Sequence, residues 1–193
     1  MRRLTIALAT LLVGGLVLTA PARAEVPIGD DGLHKPTWLQ DTFKNLPDDL
    51  AEANAQGKRL LIMIEQRGCI YCTKMQEEVY PDPAIDKIIR DTYFVDQINL
   101  FGDTEVTDFD GTVLPEKEMA QRWGVVFTPT LIFLPEEIPE GKTAAQAAVV
   151  TMPGAFGKGT TKALFEWVRD HGYESGENFQ KYLQRQLAKS KTD

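Results

Sequence analysis

Leu60-Leu61-Ile62-Met63-Ile64, followed closely by Gly68-Cys69-Ile70-Tyr71-Cys72, is the stretch whose reading decides the fold. The unbroken apolar run has the character of a strand buried on both faces. Behind it the period changes. Cys72, Met75, Gln76 and Val79 fall at i, i+3, i+4 and i+7, one face of a helix that Pro81 and Pro83 bring to an end. The chain's only two cysteines therefore lie where a strand hands over to a helix, which is the placement of a redox dithiol. A helix N-terminus offers unpaired N–H groups and partial positive charge to the first sulfur, favouring thiolate over thiol. The second sulfur, one turn on, is within reach to close a small disulfide ring.

A purely structural staple is the competing explanation. A ring enclosing only Ile70 and Tyr71 constrains almost nothing in the unfolded chain, and a chain of 193 residues needs no staple to hold a core. A metal-binding or metal-delivery module is another. Zinc wants four ligands, and the only histidines are His34 and His171, so no metal and no other cofactor is expected.

Before this stretch, Leu46 to Gln56 reads as a helix with Pro47, Asp48 and Asp49 in its first turn and Gly57 closing it. Glu25 to Pro36 has the composition of a loose leader, with Trp38 and Phe43 tying the following stretch to the domain. Residues 1–24 resemble a secretory signal: Arg2 and Arg3, an apolar run from Leu4 to Ala20, then Ala22-Arg23-Ala24 before Glu25. That run falls short of the ~20 residues a spanning helix needs. Its removal takes Arg2, Arg3 and Arg23 and no acid, moving the formal net charge from −7 to −10. Such an acidic surface argues against nucleic acid or an anionic membrane as partner. The destination is therefore the periplasm, with an uncleaved anchor the alternative, and the mature chain is expected to be a monomer.

Beyond the dithiol, Ala84 to Asp91 reads as a short helix and Tyr93 to Leu100 as the next strand. Residues 101–115 form an acidic insert centred on Asp110-Gly111, read as a solvated hairpin. Asp103, Glu105, Asp108 and Asp110 lack the glycine and terminal glutamate of a calcium loop. Glu116 to Trp123 is a helix, and Leu131 to Leu134 and Ala147 to Met152 are strands. Thr161 to His171 is a helix, and Phe179, Tyr182, Leu183 and Leu187 mark a final amphipathic one. The order implies an α/β domain over residues 46–172, with a mixed central sheet flanked by helices and a helical extension over 173–193.

Thr128-Pro129-Thr130 precedes a buried-looking strand, where proline is tolerated only at the start or edge. A cis Thr128–Pro129 bond there would turn the backbone of Thr128 toward the cysteines, where an extended substrate could pair with it. Strand, Cys69-x-x-Cys72, helix, strand, then Ala120-x-x-Trp123-x-Val125-x-x-Thr128-Pro129-Thr130 and a further strand resemble the thioredoxin superfamily. In detail the chain is similar to exported bacterial thioredoxins of the sulfur-oxidation SoxW type. The helix end Ala55-Gln56-Gly57-Lys58, the run from Cys69 to Met75 and the acidic insert carry that resemblance.

The resemblance implies a thiol:disulfide oxidoreductase with Cys69 as the exposed attacking thiolate and Cys72 as the shielded resolving thiol, paired as a redox disulfide. Ile70, Tyr71, Thr128, the cis-proline Pro129 and Gly154 would meet the substrate. It also implies a disulfide-bearing exported client and a membrane electron donor. A disulfide isomerase is the runner-up, because tyrosine before the second cysteine and threonine before the proline occur there too. One departure stands out. The buried acid that thioredoxins place six positions before the first cysteine is here Met63. Glu65, on the same strand face, is the candidate to take over as proton acceptor, the alternative being a solvated strand-end carboxylate.

Overall fold

The computed structural model describes residues 26–189, so the expected signal over residues 1–24 lies outside the described residues. Helix α1 (Leu46–Ala55) leads into strand β1 (Arg59–Glu65), helix α2 (Ile70–Lys74), a π-helical turn (Met75–Val79), α3 (Pro83–Thr92) and β2 (Tyr93–Asn99). There follow β3 (Glu105–Thr107), β4 (Val113–Pro115), α4 (Glu116–Arg122), β5 (Thr130–Phe133) and α5 (Ala144–Ala147). The chain continues through β6 (Val150–Pro153), α6 (Lys158–Arg169), a 3-10 turn (Gly172–Glu174) and α7 (Phe179–Lys189).

The main sheet runs β2-β1-β5-β6, with β1 and β2 parallel and the other pairs antiparallel. This is the mixed, helix-flanked α/β arrangement implied by the order of elements. Strand β1 is buried along its whole length, and its alternation splits the core into two layers. Leu61 and Met63 join Tyr93, Val95, Phe133 and Phe165 on one face, while Leu60, Ile62 and Ile64 join Phe94, Ile98 and Ile132 on the other. Truncating Ile62 to alanine would open a cavity on a fully covered strand, at a cost of about 2–5 kcal/mol.

Several expectations are corrected. The helix after Cys72 is not a single α-helix: it widens into the π-turn, closed by the Tyr80 N–H donating to the Met75 carbonyl at 2.8 Å. The inward stripe survives the change, since Cys72, Met75, Gln76 and Val79 are all buried. The leader is not loose. Leu33 and Trp38 are buried, the Trp38 ring meets Tyr80 edge-on at 5.7 Å, and the Gln40 N–H donates to the Val95 carbonyl at 3.0 Å. The stretch thus covers the otherwise open edge of β2. Phe43 does not help; it is 99% exposed. Between 135 and 150, Thr143 and Gln146 form a capping box that starts α5, so the next strand begins only at Val150.

The insert is a hairpin of β3 and β4, as Asp110-Gly111 indicates, but it is not simply solvated. Asp108 is fully buried and accepts from the Phe109 and Ala144 N–H groups, Trp123 Nε1 and Arg122 Nη1, each at 2.8 Å. That carboxylate fastens the hairpin to α4 and α5. Asp110 is exposed and paired with Arg122, whose guanidinium holds its carboxyl down at about 2. The final helix packs its Phe179 ring on Trp167 at 5.7 Å.

Candidate active site

Cys69 caps the N-terminus of α2 in an extended conformation, so the Cys72 N–H points back at its sulfur and donates at 3.0 Å. The two sulfurs are joined as a disulfide. Thr128 closes over the same sulfur from the loop before β5: its hydroxyl donates to Cys69 Sγ at 3.3 Å and its carbonyl oxygen lies 3.5 Å away. The Thr128–Pro129 peptide bond is cis. With Thr128 overhead, Cys69 is 7% exposed, less open than the expected exposed thiolate, against 1% for Cys72.

Around this point lies an apolar, exposed surface. Ile70 and Tyr71 stand 74% and 58% exposed, and Val126 and Phe127, just before Thr128, are exposed as well. Gly154 is tied to the loop by its N–H, which donates to the Pro129 carbonyl at 2.7 Å. It has φ +93°, and a Cβ there would meet nothing within 4 Å, so the backbone conformation rather than space calls for glycine.

Glu65 is not a solvated strand end. It is fully buried, with Oε1 accepting from Gln76 Nε2 at 3.1 Å and Oε2 from Gln97 Nε2 at 2.7 Å. Gln76 also lies 3.6 Å from Met63 Sδ, which places Glu65 and Met63 on one face of β1. Burial pushes the Glu65 carboxyl above its usual range, while the two amides and the Lys35 charge pull the other way. Gln76, which binds the Glu65 carboxyl, follows Cys72 by four residues, and both lie on the buried stripe of the helix.

A second pair of buried acids sits on the opposite face of the sheet. Asp49 of α1 and Asp96 of β2 are both buried, and each keeps one carboxyl oxygen without a partner; Thr42 Oγ1 donates to Asp96 at 3.4 Å. Burial, then the neighbouring Asp49 carboxylate, pushes the Asp96 carboxyl well above its usual range. Neither acid announced itself as special in the sequence, though Asp96 and Gln97 interrupt what is otherwise a buried strand. Among the described residues there is no group of three or more His, Cys, Asp or Glu placed to hold a metal ion. No helix among them is long and apolar enough to cross a membrane.

Residues 46–150 match a family described as a thioredoxin-like domain. A thioredoxin-fold protein from Helicobacter pylori superposes with a TM-score of 0.54 at 16% identity, covering 68% of this chain and 81% of that one. A thioredoxin from Thermus thermophilus superposes with a TM-score of 0.51 at 24% identity, covering 69% of this chain and 90% of that one. No curated protein sequence matches the chain.

Proposed function

We propose that this chain, which belongs to the thioredoxin-like family, is a thiol:disulfide oxidoreductase that reduces disulfides of exported client proteins in the periplasm. The observation that supports this most is the joining of Cys69 and Cys72 at a helix N-terminus directly beneath Thr128, within an exposed apolar rim. In the reduced enzyme the Cys69 thiolate attacks one sulfur of a client disulfide. A Cys69–client bond forms, the client S–S bond breaks, and the departing client sulfur takes up a proton. Cys72 then loses its proton and attacks Cys69, releasing the second client sulfur and leaving the Cys69–Cys72 disulfide. The client gains two electrons and the dithiol gives up two.

Ile70, Tyr71, Thr128, Pro129 and Gly154 are assigned to client contact, with the apolar rim receiving an extended segment. Glu65 is assigned as the acceptor of the Cys72 proton. Its raised affinity for protons narrows the gap to a thiol of ordinary pKa ~8.5, which makes the transfer less uphill than to a solvated glutamate. A membrane electron carrier re-reduces the disulfide, because this compartment is kept oxidising. Clients of the sulfur-oxidation kind fit the resemblance in the Cys69–Met75 run and the insert.

The experiment is turnover of a fluorescently reported disulfide peptide with a chemical reductant as electron source, alongside the reduction potential of the dithiol. Catalysis by the parent and none by Cys69→Ala support the assignment. A dithiol as oxidising as ~−120 mV would instead make it an oxidant and contradict the direction proposed.

A further inference from the structure

We propose that the N-terminal leader tunes the exchange reaction: Lys35, acting through the side-chain amide of Gln97, positions Glu65 and sets the pH at which it accepts the Cys72 proton. The proposal rests on the assignment of Glu65 made above and adds a positioning element that lies outside the 46–150 domain.

The contacts form one continuous line. Lys35 Nζ donates to Gln97 Oε1 at 2.7 Å, and Gln97 Nε2 donates to Glu65 Oε2 at 2.7 Å. The same Gln97 nitrogen also donates to the His34 carbonyl at 2.9 Å, so both ends of the amide are held by adjacent leader residues. A cation on the carbonyl side of an amide polarises its N–H groups, strengthening their donation to a carboxylate on the far side. The leader is itself anchored for this task. The Lys35 N–H donates to the Pro27 carbonyl at 2.7 Å, Ile28 and His34 pair as a bridge, and Leu33 is buried. Arg67, two residues before Cys69, donates to the Asp30 carbonyl at 3.1 Å, which fixes the leader loop against the approach to the dithiol.

The sign of the effect follows from the charges that face Glu65. The leader supplies Lys35, which favours the carboxylate, and Asp31, which disfavours it and pairs with Lys35 at 2.6 Å. The segment after the π-turn supplies Tyr80, a phenol that its burial, and then the Glu65 charge, hold in the neutral form. Strands β1 and β2 supply Met63 and Gln97, which carry no charge, and the π-turn supplies the neutral Gln76. Removing Lys35 should therefore raise the proton affinity of Glu65, and removing the Asp31 charge should lower it.

Stopped-flow reaction of the reduced full-length protein with 5,5′-dithiobis(2-nitrobenzoate) resolves attack by Cys69 from displacement by Cys72, as the first and second equivalents of thionitrobenzoate released. The pH profile of the second step is the readout. Lys35→Met should move its acidic limb upward by about half a pH unit, and Asp31→Asn, whose amide oxygen can still accept from the Leu33 N–H, should move it downward. In a Glu65→Gln background neither change should shift the profile. A leader that merely props the fold would move both variants the same way, and that result, or two unmoved profiles, overturns the proposal. If Glu65→Gln itself leaves the acidic limb in place, the assignment of Glu65 fails instead, and the two failures are told apart.

Discussion

Thr128 sits over Cys69 with its hydroxyl 3.3 Å from the sulfur, so the only side-chain donor that the loop before β5 brings to the dithiol is aimed at the atom proposed to attack. The Cys72 N–H reaches the same sulfur from below at 3.0 Å. Once the disulfide is reduced, both become charge-assisted donors to a thiolate, the stronger class of hydrogen bond. Thr128→Val keeps the shape and removes one of them. Alkylation of Cys69 by iodoacetamide at pH 6 should slow about three- to tenfold, the effect of losing roughly 1 kcal/mol of thiolate stabilisation. The melting temperature should stay nearly unchanged.

The Asp49–Asp96 pair predicts a pH dependence of stability with a definite sign. A carboxyl whose proton affinity is raised on folding contributes stability that is full below the ordinary carboxylate range. That contribution is lost as pH rises through its elevated folded value. The protein should therefore be more stable near pH 5 than near pH 8 as far as this pair is concerned. Asp96→Asn supplies a permanent donor for the Asp49 oxygen that now lacks one. It should flatten that slope and raise stability near pH 8 by about 1 kcal/mol, or roughly 2–4 °C in melting temperature. Denaturant melts at the two pH values check both statements.

Asp108 is a structural anchor, so its removal should damage stability and spare the thiol chemistry. Asp108→Ala strands the Ala144 N–H and Trp123 Nε1 without an acceptor, and should cost about 3–5 kcal/mol. Amide exchange should speed up in the 105–115 hairpin and α5 well before β1. Asp108→Asn keeps the Oδ1 contacts and should lose less.

Phe43 gives the contrasting case. It is 99% exposed, so Phe43→Ser should change stability by no more than about 0.5 kcal/mol in a denaturant melt.

These cases also mark what could be read from the chain before its structure. The strand Leu60–Glu65, the helix after the cysteines and the mixed sheet were legible because burial imposes period on long stretches. Gln76 was visible as a polar residue on a buried stripe, but its partner was not, because a contact across eleven residues leaves no periodic trace. The leader is hard to read for a related reason. Its glycines, prolines and charges look like loop composition, yet Trp38 meets Tyr80 just beyond the π-turn and Lys35 meets Gln97 on β2, partners that only the folded chain brings near. Asp108 looked like one acid among several in a polar hairpin, and its burial is decided by Trp123 and Arg122 of another element. An aromatic residue signals burial only on average, and Phe43 is an exception. The widening of the helix at Met75–Val79 has no sequence mark that we can identify.

The most direct measurement is covalent trapping. Reduced Cys72→Ser protein mixed with a disulfide-containing peptide should accumulate a one-to-one mixed disulfide through Cys69 that intact-mass analysis detects and dithiothreitol reverses. The matched Cys69→Ala/Cys72→Ser protein should form none. Equal adduct in both, or none in either under conditions where a free thiol reacts, would contradict the claim that Cys69 exchanges disulfides with client proteins.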